Sequence, residues 1–287
     1  MKKFLFLLAA LTASVACNKF QGPSAQVSPE ADEFHVVTFT FPSYTIEPMT
    51  KAVVPIGDLI TRLDVYLIDG ADTTTVSQSK TDNPSDFGTV SFTLNKTKTY
   101  TLYAVAHKSN SPAVRQGTKV SFIDDRILDT FAYSNSFCPG DATSLSCVMS
   151  RIVGMFKVTF TDALPDDLAK VQFSVSGCGL AYDFATGSSA NPGTRVATIN
   201  NPSSANDGTT TFKIYSIAPN ATDAANATIV VSALDANDDV IETKTFENVP
   251  IKAGYSAAYR GVFFVTTPVS GSFSGPDSWN DFEEEAF

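Results

Sequence analysis

Histidine is the side chain best suited to moving protons near neutral pH, and this chain of 287 residues has two, His35 and His107. A Ser-His-Asp relay would set one of them beside a nucleophile, yet no Gly-x-Ser-x-Gly elbow precedes a helical pattern. His35 stands just before an alternating run and His107 just after one, so both read as strand-end surface residues. Paired carboxylates can hydrolyse a glycosidic bond. The acids here gather in turn-like clusters, Asp166-Asp167 and Asp235 to Asp239, and in the terminal run Glu283-Glu284-Glu285, where solvation accounts for them. Asp235-Ala236-Asn237-Asp238-Asp239 offers oxygens at alternate positions, as a calcium loop does at its start. The loop glycine and closing glutamate are missing, with Phe246 in the twelfth place, so the segment reads as a hairpin turn.

The four cysteines are Cys17, Cys138, Cys147 and Cys178. Cys138 and Cys147 flank Pro139-Gly140-Asp141 and could close a small disulfide loop in an oxidising compartment. Three buried small hydrophobes are the equal alternative. Their spacing matches no zinc site and no histidine lies nearby, so no metal is expected. No phosphate loop and no Gly-x-Gly-x-x-Gly turn occurs, so no cofactor is expected either. With 20 Lys+Arg against 30 Asp+Glu, the net charge is −10, which excludes nucleic acid as an electrostatic partner.

The start of the chain sets its compartment. Met1-Lys2-Lys3 precedes the short apolar run Phe4 to Ala13, and then Ser14-Val15-Ala16 leads directly to Cys17. A positive start, a short apolar run and small residues make residues 1–16 a secretory signal. The junction resembles a bacterial lipobox, which implies acylation of Cys17. Multiple acyl chains at about 0.8 kcal/mol per buried CH₂ would hold the protein on a membrane, the outer membrane in this reading. Residues 17–33 are polar, with Gly and Pro, and read as a tether.

The rest of the chain alternates with period two. Strands are expected at Val36–Phe41, Arg62–Ile68, Val90–Leu94, Tyr100–Ala106 and, more weakly, Val120–Ile123. A second series covers Phe156–Phe160, Val171–Ser176, Thr211–Tyr215, Ala227–Leu234, Val240–Phe246 and Tyr255–Val265. Leu164–Leu168 is the best helical candidate, Asp124–Phe131 holds a helical turn at most, and 183–209 reads as polar loop. The expectation is an all-β chain of two tandem sandwiches, residues 34–148 and 149–287, the second ending in an acidic tail.

Several motifs, in order, carry a family resemblance. Thr50-Lys51-Ala52 ahead of Ile60-Thr61-Arg62-Leu63-Asp64-Val65-Tyr66-Leu67-Ile68-Asp69, then Tyr100 to Ala106, resemble the opening of Bacteroidetes fimbrillin-like pilins. Met149-Ser150-Arg151-Ile152-Val153-Gly154-Met155-Phe156-Lys157-Val158 resembles the strand that opens their second domain. Val249 to Tyr255, Tyr259 to Phe264, and Trp279-Asn280 in an acidic tail resemble their close. The resemblance implies two transthyretin-like sandwiches, a place in a type V fimbrium and no catalytic residues. It implies that an early strand, here Val36–Phe41, can be lost to an Arg- or Lys-specific protease and replaced by a neighbour's strand. Lys51 and Arg62 are the candidate cleavage positions, and Val269–Phe273 is the candidate donor. A loop with no arginine inside it favours an anchor or accessory subunit that keeps its lipid and first strand. Other pilin subunits, the membrane and a receptor on a host or bacterial surface are then the expected partners. Two alternatives stay open: a lipoprotein that binds glycans for nutrient uptake, and a hydrolase, which would need a pocket joining His35 or His107 to acids.

Overall fold

The computed structural model describes residues 33–41, 43–45, 53–55, 59–123, 126–264, 280–281 and 285–286. Cys17, Lys51, the tether up to residue 32, Val269–Phe273 and Trp279 lie outside the described residues. The first twelve strands are β1 (Phe34–Thr40), β2 (Ser43–Thr45), β3 (Val53–Pro55), β4 (Arg62–Asp69), β5 (Asp72–Ser79), β6 (Thr89–Asn95), β7 (Tyr100–His107), β8 (Val114–Gln116), β9 (Lys119–Ser121), β10 (Thr130–Phe137), β11 (Ser144–Ser146) and β12 (Met149–Arg151). A three-stranded sheet, β11-β1-β6, packs on a seven-stranded one, β3-β2-β12-β10-β7-β4-β5. The alternation in β6 shows why: Val90, Phe92 and Leu94 are buried while Thr89, Ser91 and Thr93 face water.

Strand β5 is polar and mostly exposed, yet it forms. Gly70, at φ +62°, allows the tight turn that folds it back on β4 in the register Asp69↔Asp72. A polar outer strand also blunts the sheet edge. Ser134 to Phe137 carry no strand pattern of their own yet continue β10, because every residue of Thr130–Phe137 finds a partner on β7.

The remaining strands are β13 (Val153–Phe160), β14 (Lys170–Asp183), β15 (Ser188–Asn200), β16 (Thr210–Ile217), β17 (Ala224–Leu234), β18 (Val240–Lys252), β19 (Tyr255–Gly261), β20 (Asn280–Asp281) and β21 (Glu285–Ala286). They run in the order β18-β17-β14-β16-β13-β19-β20, with β15 added to β14 and β21 to β19. Aromatic rings fill the interior: Phe156 lies 5.2 Å from Phe246 and 5.4 Å from Tyr259, and Phe160 stacks on Phe263 at 4.1 Å. The 183–209 loop expectation is corrected by β15, which pairs with β14 from Lys170↔Asn200 to Asp183↔Ser188. Leu164–Leu168 makes one turn only, closed by the Leu168 N–H on the Pro165 carbonyl at 3.1 Å. Asp235 caps the β17–β18 hairpin, accepting from the Asn237 and Asp239 N–H groups at 2.8 and 2.9 Å.

Strand β14 carries the connection between the two bodies. A bulge between Val175 and Cys178 falls at Gly177, whose φ of +87° only glycine takes without strain. Before the bulge β14 pairs with β17; beyond it, Ala181–Asp183 pair with β9. The β8–β9 hairpin therefore extends the sheet that contains β14. A third core seals this junction, with Tyr103 stacked on Phe184 at 4.5 Å and Val105, Val120, Ile152 and Ile217 buried around it. It explains the unbroken apolar run of β7: Leu102, Ala104 and Ala106 face the first core, and Tyr103 and Val105 face the junction. Met149 is buried in the first core and β12 pairs with β10, so the changeover between bodies falls at Ile152 rather than between Val148 and Met149.

Candidate functional site

Strand β1 lies in the middle of its sheet. It runs antiparallel to β6 from Phe34↔Asn95 to Thr40↔Thr89, and parallel to β11 from Thr38↔Ser144 to Thr40↔Ser146. Its alternation sends Val37 and Phe39 inward, with Phe41 completing the row, and all three are at most 1% exposed. Phe39 makes edge-to-face contacts with Phe92 at 5.8 Å and Phe137 at 5.4 Å. Val36, on the other face, is 55% exposed. Both partner strands are distant in sequence from β1. Without it, β6 and β11 would each show a row of unpaired N–H and C=O groups above an open core. His35 belongs to this strand, part-buried, with its Nε2–H donating to the Ala142 carbonyl at 2.8 Å.

Arg62 opens β4 and is paired on both sides, Arg62↔Ser79 and Arg62↔His107. Its guanidinium donates to the Asn110 carbonyl at 3.3 Å and stands 3.4 Å from Asp64. A protease needs an extended, accessible segment, which a central strand does not offer. Arg62 thus starts a strand, as its place at the head of the alternating run Arg62–Ile68 implies.

The surface reading of His107 is corrected: it is 1% exposed and its Nε2 lies 3.1 Å from Asp64 Oδ2, itself fully buried. The same oxygen accepts the Ala113 N–H at 2.9 Å, while Oδ1 accepts the Ser77 hydroxyl at 2.5 Å. Burial alone would raise the Asp64 carboxyl, but the bonds from His107, Ala113 and Ser77 outweigh it and hold the group below its ordinary value. The residue types are those of a hydrolytic relay, but the order is different. Here the carboxylate stands between hydroxyl and imidazole, so the imidazole is not placed against the serine as a relay requires. Tyr66 completes the arrangement by donating to the Ala113 carbonyl at 3.0 Å. Asp64 and Tyr66 thus grip both polar groups of the residue that leads into β8, and so fix the hairpin that reaches β14. Sequence pattern missed this because Asp64 and Tyr66 share the face of β4 that alternation assigns to solvent, and the segment that begins at Ala113 and carries Phe122 covers that face.

Cys147 and Cys178 are buried and in no disulfide. The Cys138–Cys147 bond is not formed: the Cys138 thiol donates to the Lys96 carbonyl at 3.2 Å, while Cys147 is buried in the first core. Burial pushes the Cys147 and Cys178 thiols up to about 11. Neither histidine lines the three cavities described for the fold.

No protein-family model and no curated protein matches the sequence. Solved structures do. A crystal structure from Bacteroides thetaiotaomicron, described as of candidate polysaccharide-binding proteins, aligns with TM-score 0.50 at 9% identity, over 72% of this chain and 79% of that one. A candidate adhesin from Bacteroides ovatus aligns with TM-score 0.49 at 9% identity, over 93% and 99%. The fimbrial anchor protein Mfa2 from Porphyromonas gingivalis aligns with TM-score 0.41 at 13% identity, over 73% and 81%. The chain therefore shares the all-β fold of the Bacteroides thetaiotaomicron protein, as its resemblance to the fimbrillin-like family implies.

Proposed function

We propose that the chain is a fimbrial subunit of the bacterial cell surface, structural and adhesive rather than enzymatic, held at the outer membrane by an acylated Cys17. The observation that supports this reading is the seat of β1. It is short, lies close to the N-terminal tether, and supplies three apolar side chains to a core built by strands far away in sequence. That is the build a strand must have if a neighbour's strand is to take its place. In this chain the stretch between β1 and β4 carries one basic residue, Lys51, and Arg62 is locked into β4. The chain is accordingly an anchor or accessory subunit that keeps β1, and it meets other subunits through strand addition. The buried Asp64–His107 pair serves the junction, not a reaction.

Removal of the gene from a fimbriated cell tests this reading by electron microscopy. Fimbriae should be lost or shed into the medium. The intact chain should restore them, and a Cys17→Ser chain should not. Fimbriae unchanged in number and attachment would contradict the reading.

A further inference from the structure

Two bodies joined by a single link bend at that link unless something else ties them together. Among the described residues, the chain passes from the first body to the second at Ile152. Its N–H donates to the Thr130 carbonyl on β10 at 3.0 Å, and its carbonyl accepts from the Ala218 N–H, just after β16, at 2.9 Å. Ile152 is therefore the place at which a hinge would form.

The β8–β9 hairpin is a second tie. It departs after Ala113 and returns through Phe122, and between them Lys119, Val120 and Ser121 pair with Asp183, Tyr182 and Ala181 of β14. Past the end of β14 the Phe184 N–H donates to the Thr118 carbonyl at 2.9 Å, and Lys119 Nζ reaches Asn191 Oδ1 on β15 at 3.2 Å. A segment of the first body is thus a strand of the second body's sheet. Such a hairpin restrains nothing if its root is loose. Here the root is held on the β4–β5 face. Asp64 accepts the Ala113 N–H and Tyr66 donates to the Ala113 carbonyl. Arg115 of β8 lies 5.5 Å over the Tyr66 ring and donates to the Thr73 hydroxyl on β5 at 2.8 Å. Asp64 is itself fixed from two other elements, by Ser77 of β5 and His107 of β7. A buried carboxylate destabilises a fold unless several donors converge on it, and these converge at the root of the hairpin.

We propose that the β8–β9 hairpin is a latch that locks the hinge at Ile152, with Asp64 as its catch, so that the chain is one rigid strut rather than two bodies on a joint. A pull on one body then reaches the other through both the Ile152 crossing and the β9–β14 ladder. The latch rests on the geometry of the junction and holds whether or not the chain serves in a fimbrium.

Double electron–electron resonance on the chain from Asn18 onward tests it. Spin labels carried by keto amino acids replace Thr93 on β6 and Thr245 on β18, exposed positions of the two bodies. The intact chain should give one narrow distance distribution. Asp64→Ala removes the acceptor of the Ala113 N–H and should widen the distribution at least about twofold, since bodies on a single link move by default. Val120→Ala, on the hairpin itself and in the third core, should widen it too. Val65→Ala is the control. Val65 is fully buried on the opposite face of β4, in the first core, so this variant should lower the thermal midpoint and leave the distribution narrow. Three results would overturn the proposal: an intact chain as broadly distributed as Asp64→Ala, a distribution that stays narrow in Asp64→Ala or Val120→Ala, or equal widening by Val65→Ala.

Discussion

Replacing Phe39 by alanine tests whether β1 acts as the plug of the first core. Phe39 is 1% exposed and touches Phe92 and Phe137 edge-to-face. Truncating a buried Phe costs about 3–5 kcal/mol, from lost transfer energy and the cavity left behind. Two aromatic pairs place Phe39→Ala toward the upper end of that range. Val36, on the same strand but facing out, should cost about 0.5 kcal/mol or less when cut to alanine. Urea unfolding of the two variants, followed by near-UV circular dichroism, reads the difference. The same magnitude governs exchange. A chain starting at Pro42 leaves β6 and β11 bare, and a peptide of residues 34–41 should bind to it and restore the first transition. The peptide carrying Phe39→Ala should bind at least about a hundredfold more weakly. Equal losses for Val36→Ala and Phe39→Ala, or peptide binding blind to Phe39, would refute the reasoning.

Three further outcomes follow from the junction and the thiols. Asp64 has a folded-state value below its unfolded one of about 3.9, so its contribution is present above about pH 4 and lost as pH falls through the lower folded value. The intact chain should therefore lose urea stability more steeply below pH 4 than Asp64→Asn, and at pH 7 the variant should be weaker by about 1–3 kcal/mol. Arg151 forms a two-point ion pair with Asp129, at 2.9 and 3.0 Å, buried at the junction. Arg151→Ala should cost about 3–5 kcal/mol, and adding Asp129→Ala should cost much less than a second such loss, which a double-mutant cycle measures. A thiol reagent at pH 8 should reach the buried Cys147 and Cys178 only on unfolding, as mass spectrometry of labelled peptides would show.

Strands with one wet face were legible in the sequence. β6 alternates cleanly because Thr89, Ser91 and Thr93 meet water, and β1 reads the same way through Val37 and Phe39. β15 was not legible, since Pro192 and Gly193 interrupt it and half its side chains meet water. It exists because the long β14 gives it a partner at nearly every residue. β5 was missed for a related reason: its polar residues carry no pattern, and the Gly70 turn decides it. At the site, the plug strand followed from alternation, whereas the burial of His107 and Asp64 did not. Period-two reasoning sends the Asp64 face outward, and only the return of the chain over it, through Ala113 and Phe122, makes that face interior.

The most direct test of the account is the intact mass and N-terminal residue of the protein isolated from its native envelope. The account predicts a chain that begins at Cys17, carries acyl groups and retains β1. A chain that begins at Ala52, without lipid and in SDS-resistant ladders, would show that β1 is discarded and that the subunit polymerises instead of anchoring.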